Sequence, residues 1–322
     1  MQDPGTAFAL CSMLTRRTKA PDKVRRNARE GTTMAAKLKT AALAVALLAF
    51  GAATAGAKQL WELQGLKAPE SVVVDVAAGV AYVSNIDGEV NTKDGKGSIS
   101  KVSLDGKLLA AEWVTGLDAP KGLALHGGKI YAADVDQLVE IDVKDAKIVN
   151  KYPAKGAVFL NDVTVAPDGS VYVSDTVESS IWRLSGGKFE LWIKDEKLLD
   201  PNGLTVKGDK LIVAAWGKID GEGFATSVPG HLLEVSLADK SIKSLGADAP
   251  IGNLDGLEIL DDKTFVVTDF MAGTLMTIDV DGKVTKIAAL PSGSADIGFV
   301  PAQRLVLIPN LKTGNLIGFQ LD

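Results

Sequence analysis

The chain has 322 residues, is 46% hydrophobic and 23% charged, and carries a formal net charge of −5. That is an ordinary soluble composition, long enough for one large domain or two smaller ones. With no basic block after residue 57 it excludes nucleic acid and anionic membrane as partners, and its one cysteine, Cys11, excludes thiol catalysis, cysteine-ligated zinc and a disulfide framework.

Residues 1–33 are irregular and rich in Arg and Lys. At Met34 a different pattern begins: two lysines, an apolar run over 41–50, and Ala-Gly-Ala ending at Ala57. This is the order of a secretory signal peptide, and the run falls short of the roughly 20 residues that span a bilayer. The sequence therefore predicts an over-extended start, a leader ending at Ala57, and a mature periplasmic or secreted chain from Lys58. Two regions follow: an N-terminal extension with signal peptide over 1–57, and a folded domain over 58–322.

Residues 58–63, Lys-Gln-Leu-Trp-Glu-Leu, alternate as a strand but belong to no repeat. The repeats come next. Each opens on a short tetrapeptide: Ala-Pro-Glu-Ser at 68–71, Ala-Pro-Lys-Gly at 119–122, Phe-Leu-Asn-Asp at 159–162, Asp-Pro-Asn-Gly at 200–203 and Asn-Leu-Asp-Gly at 253–256. A weaker sixth copy is Ser-Ala-Asp-Ile at 294–297. After each of the five clear openers two apolar residues alternate with others, as Val163 and Val165 do after Asn161, which is the period of a strand. A turn such as Pro-Asp-Gly at 167–169 then leads to a second strand such as Val-Tyr-Val-Ser-Asp at 171–175. Third strands include 180–184 and 232–235, and fourth stretches such as 189–193 are visible in most copies.

Four strands per copy at this spacing predict an all-β, six-bladed β-propeller with four-stranded blades. The last copy lacks a fourth strand, and 58–63 would supply it, closing the ring and removing two sheet edges. Two long loops, 85–97 and 216–230, are predicted to overhang the channel mouth on the side of the openers, where substrate choice usually resides. The first carries Asp87, Glu89, Asn91 and Asp94, but lacks the closing bidentate Glu of a calcium loop and reads as solvated.

In a propeller the third residue of every opener meets the others at one end of the channel. Those residues are Glu70, Lys121, Asn161, Asn202, Asp255 and, in the sixth copy, Asp296. Glu70, Asn161, Asn202 and Asp255 make an oxygen-only ligand set suited to Ca2+ or another hard divalent cation. Lys121 and Asp296 are candidate substrate-binding groups. Lys121 would hold a carboxylate or oxyanion, or else pair with a ring acid; Asp296 would bind directly or through water.

This constellation resembles the gluconolactonase/regucalcin (senescence marker protein) family, and the same kind of site occurs in calcium-dependent diisopropylfluorophosphatase and the paraoxonases. The resemblance spans about 60–322 and rests on Glu70 in Ala-Pro-Glu-Ser, Asn161 in Leu-Asn-Asp-Val-Thr-Val-Ala-Pro-Asp-Gly, Asn202 in Pro-Asn-Gly-Leu and Asp255 in Leu-Asp-Gly-Leu. It implies one divalent ion in the channel acting on a lactone or related ester. The family's Glu-Gly-Pro-aromatic opening is replaced here by Glu-Ser-Val-Val.

His126 falls near the far end of its strand and is expected in a surface turn; His231 precedes a third strand and could face the channel. A paraoxonase-like histidine pair is thus absent, and Asp255 is the expected general base. Asp162 and Glu258 are expected on other strand faces as structural hydrogen-bond partners. The sequence has neither a Gly-x-Ser-x-Gly elbow nor a dinucleotide fingerprint. The expected protein is therefore a gluconolactonase-like secreted hydrolase acting on a small molecule, a monomer, with no membrane contact once the leader is removed. The rivals are a non-catalytic ligand-binding propeller with a structural calcium, and a phosphotriesterase-like hydrolase.

Overall fold

The structure is a computed structural model that describes residues 57–246 and 248–322. The predicted leader lies outside the described residues but for Ala57. Among the described residues no helix is long and apolar enough to cross a membrane.

Alternating sequences pair locally into six four-stranded antiparallel sheets, and these form the six blades. The first strands are Pro69–Asp75, Pro120–His126, Leu160–Val165, Pro201–Lys207, Leu254–Ile259 and Gly298–Val300. Those of blades one to five touch in succession, the last touches that of blade one, and together they surround the channel. Blades one to five then step outward in sequence order; in the fourth, the hairpin Gly217–Ile219 with Thr226–Pro229 is inserted between second and third strands.

Blades pack through alternation, because successive side chains of a strand point to opposite faces. In the second strand of blade three, Val171 and Val173 join a cluster with blade two, while Tyr172 between them joins a cluster with blade four. Every pair of neighbouring blades shares such an apolar cluster, including the sixth and first, so the core is a closed ring of six interfaces. Burial of each Val, Leu or Ile is worth about 1.5–3 kcal/mol.

Closure follows the expected route. Ala57–Gln64 pairs antiparallel with Asn315–Leu321 as the outer strand of blade six. Its Trp61 indole N–H donates to the Leu104 carbonyl of blade one at 3.1 Å, and the ring lies where a side chain at Gly106 or Gly318 would have to go.

Between the first and second strands of blades one to five the register slips at the opener, across Pro69/Val72, Pro120/Leu123, Leu160/Val163, Pro201/Leu204 and Leu254/Leu257. This is a β-bulge, which frees the third and fourth opener residues from the ladder. The freed amide needs a partner. In blades one, three and five a hydroxyl one residue before the end of the second strand supplies it: Ser84 accepts from the Ser71 N–H, Ser174 from Asp162 and Thr268 from Gly256, at 2.8–2.9 Å. Ser174 and Thr268 donate in turn to the next blade, to the carbonyls of Asn202 and Ala295 at 2.8 and 2.9 Å. Glycine fills the fourth opener position in blades two, four and five because neighbouring first strands touch there. A Cβ at Gly122, Gly203 or Gly256 would run into the backbone of Asn161–Asp162, Asp255 or Asp296–Ile297.

Candidate active site

The bulges turn the third opener residue of five blades into one cavity of about 470 Å3 at the channel mouth. Its floor holds Glu70, Lys121, Asn161, Asn202 and Asp255, all buried. Three side-chain oxygens there have no hydrogen-bond partner: Glu70 Oε2, Asn161 Oδ1 and Asp255 Oδ1. Buried polar atoms are nearly always paired, so three orphans on one floor require an explanation.

The neighbours fix these groups. The Asn161 amide Nδ2 donates to Thr176 Oγ1 at 3.1 Å, and that hydroxyl donates to the Pro201 carbonyl at 2.9 Å. The chain of donors gives the amide one orientation and leaves its oxygen to the cavity. Asn202 Nδ2 donates to Asp255 Oδ2 at 3.2 Å. Lys121, 1% exposed, donates to the Ala119 carbonyl at 3.3 Å and lies over the Phe159 ring, 4.4 Å from its centre.

Burial holds the Glu70 carboxyl well above its ordinary range, the charges of Asp255 and Asp296 add to this, and Lys121 opposes it. Asp255 is raised in the same way, first by burial and then by Asp296, against the Asn202 hydrogen bond. A divalent cation reverses that balance by favouring the charged forms. The floor fits such an ion: two carboxylates and two carboxamides offer hard oxygens only, and the three unpaired oxygens belong to three of the four. No group of three or more His, Cys, Asp or Glu with metal-holding geometry occurs among the described residues, so the two amides are essential to the set.

Asp296 stands apart from the floor. In the sixth opener Ala295 occupies the third position and Asp296 the fourth. The Ala295 carbonyl receives Thr268, as the Asn202 carbonyl receives Ser174, and the Ile297 N–H turns back to Asp296 Oδ1, as the Val163 N–H does to Asp162. The sixth opener is therefore Gly-Ser-Ala-Asp at 293–296, one residue earlier than the sequence suggested. The signal was in the following apolar pair, Ile297 and Phe299, which has the parity of Ala295. Asp296 accepts from Ser71 at 2.5 Å and lines a second cavity of about 210 Å3 with Asp162, Glu258 and His126. As expected, Asp162 lies on another face from the floor residues and serves as a structural hydrogen-bond partner: its carboxylate accepts from the Val163 and Leu204 amides at 2.6 Å. Burial pushes Asp296 up to about 7 and Glu258 up to about 8.

His231 does not face the channel. It lines an outer groove beside Lys243, with Ser244 Oγ 3.0 Å from its Nε2, so no histidine reaches the cavity floor. Both long loops border the cavity: Ile86 and Val90 from the first, Trp216 and Phe224 from the second. In the first loop Asp87 and Asp94 pair with Lys67 and Lys96. Sequence reasoning did not foresee the aromatic wall formed by Phe159, Trp216, Phe224 and Phe270. Its one sequence signal is that Trp216 and Phe270 each follow directly on a second strand.

No family model matches the chain, and no curated protein matches it. Solved structures do. A gluconolactonase from Xanthomonas campestris is 16% identical with a TM-score of 0.60, over 83% of this chain and 89% of that one. A calcium-binding protein, regucalcin, from Agrobacterium tumefaciens is 17% identical with a TM-score of 0.59, over 83% and 94%. Virginiamycin B lyase from Staphylococcus aureus is 13% identical with a TM-score of 0.57, over 83% and 100%. At these identities the likeness is one of fold, and that fold is the propeller of the gluconolactonase and regucalcin structures.

Proposed function

We propose that this propeller is a divalent-cation-dependent hydrolase of lactones or related esters, with calcium as its cation, working outside the cytoplasm. The observation that carries the reading is the set of three buried, partnerless oxygens on the floor of one open cavity. Glu70, Asn161, Asn202 and Asp255 would hold the ion. Once bound, it would polarise an ester carbonyl and stabilise the oxyanion.

The remaining work falls to the chain itself. A carboxylate has two oxygens, so Asp255 can bind through one and accept a proton at the other. In hydrolysis Asp255 takes a proton from water. The water oxygen bonds to the carbonyl carbon, the bond from that carbon to the alkoxy oxygen breaks, and the proton passes to the departing alkoxide. Lys121 places a positive charge beside the same floor, where it supports an oxyanion or a substrate carboxylate. The space above the floor favours this reading over a propeller whose ion is only structural. The lyase fold-neighbour suggests a further chemistry; one such structure is described as a catalytically inactive histidine variant, and no histidine lines the present cavity.

The test is a panel of lactones, aryl esters and phosphotriesters assayed on metal-free protein with and without added calcium. Calcium-dependent turnover of a lactone or ester supports the proposal; phosphotriester turnover alone, or none at all, refutes it. Export rests on the pattern from Met34 to Ala57. Secreted protein should begin at Lys58 on N-terminal sequencing, and recovery of intact 1–57 on cytoplasmic protein would refute it.

A further inference from the structure

The walls of the large cavity differ in chemistry from its floor. Phe159, Phe224, Trp216 and Phe270 form a continuous run of ring contacts, with centroids 5.2, 6.3 and 5.5 Å apart in that order. The run starts at the blade-three opener, crosses the long loop of blade four and ends after the second strand of blade five. Ala68, Ile86, Val90, Met271 and Leu311 complete the apolar lining.

Two polar groups in the walls have their donors committed elsewhere. The Trp216 indole N–H donates to the Phe224 carbonyl at 2.8 Å. Thr176 spends its hydroxyl proton on Pro201 while accepting from Asn161. Phe224 itself sits at a φ of +66°, a left-handed conformation that a bulky side chain rarely adopts. The loop holds that uncommon backbone and keeps this ring in the wall.

A ligand in this cavity meets hydrogen-bonding groups at the floor and mainly hydrocarbon above it, with Glu89 and Lys312 as the charged groups of the wall. Resting on the hydrolase reading, we infer that the substrate is a lactone or ester with an apolar, hydroxyl-free body, and that a polyhydroxylated sugar lactone is a poor one. The carbonyl end reaches the floor. The body lies against the four rings, and sugar hydroxyls set against those rings would lose water without finding partners on them. The volume suits a drug-sized body, since such sites commonly run to about 300–1,000 Å3. Lys121, stacked on Phe159 at the inner end, and Lys312, 5.3 Å from the centre of Phe270, bracket the rings with positive charge.

The experiment compares three δ-lactones on the calcium-loaded protein: D-glucono-δ-lactone, δ-decalactone and dihydrocoumarin. The expected result is kcat/KM about 100-fold higher for the two apolar lactones, within the range over which sites discriminate by buried polar mismatch. Phe224→Ala should raise KM for them by roughly tenfold, with little change for gluconolactone, and Phe224→Leu should restore most of the loss. Equal or better turnover of gluconolactone would overturn the inference. If neither these lactones nor the esters of the panel are hydrolysed, the hydrolase reading fails, and the substrate inference is decided separately by calorimetric binding of two ring-opened acids. Tighter binding of 3-(2-hydroxyphenyl)propionate than of gluconate, weakened by Phe224→Ala, upholds the apolar cavity. Equal binding, preference for gluconate, or binding of neither overturns it.

Discussion

At Asn161 one hydroxyl decides which end of an amide faces the cavity. Thr176 can accept from Nδ2 because its own proton is committed to Pro201. Thr176→Val removes that acceptor without changing the shape of the side chain much, and calcium affinity should fall about 10–100-fold, the usual cost of losing a partner that orients a ligand. Titration calorimetry measures it. Asp255→Asn keeps an oxygen in place but removes the base and one charge. Lactone turnover at saturating calcium should drop roughly 10²–10⁴-fold while calcium still binds at higher concentration, and parental turnover would contradict the assignment. Glu70→Gln should act through affinity and recover with excess calcium. Five of the six ring residues were readable in the sequence, because each follows a proline or leucine and precedes an apolar pair. The sixth was misread by one position because Asp296 looks like a ligand whereas Ala295 does not. Parity, not residue type, held the answer.

The bulge is the element that makes the site. Simple alternation predicts strands and sets Asp162 apart from the ligands, but gives no sign that the ladder slips at the openers of blades one to five. A trace was present: Ser84, Ser174 and Thr268 recur one residue before the end of second strands. Their role is to pair the amide the bulge releases. Ser174→Ala would leave the Asp162 N–H and the Asn202 carbonyl unpaired in the core, and should destabilise the fold by about 1–3 kcal/mol in denaturant unfolding. Gly203→Ala should cost at least a similar amount, about 1–3 kcal/mol, because its methyl meets the Asp255 carbonyl and must push two blades apart. It should also weaken calcium binding, since Asn202 and Asp255 lie on those two blades. The aromatic wall was not legible because its rings come from segments far apart in sequence that only the closed ring brings together.

Over the whole molecule, blade number and closure were legible, since the count of openers and the missing fourth strand of the last copy both point to one ring. The strand 57–64 pins blade six to blade one through Trp61. Its deletion should lower the melting temperature and promote association through the exposed edge of Asn315–Leu321, as seen by calorimetry and sizing chromatography. The ring also concentrates buried acid. Burial raises Asp175 to about 6, Asp296 to about 7 and Glu258 to about 8, all above their values in the unfolded chain. Between about pH 4 and 8 the native state therefore binds more protons than the unfolded state, and the stability of the metal-free protein should fall as pH rises through that window. Melting curves of metal-free protein from pH 5 to 8 check the sign.

The cation site is tested most directly by the melting temperature of metal-free protein before and after calcium, compared with the Asn161→Ala/Asn202→Ala double variant. Calcium at a hundredfold over its dissociation constant should stabilise the parent by about 2.7 kcal/mol, because only the native state assembles the four ligands. Chelation should reverse the shift, and the double variant should show none. An unchanged melting curve in the parent on adding calcium would contradict the site, and with it the explanation of why Glu70, Asn161 and Asp255 leave three buried oxygens unpaired.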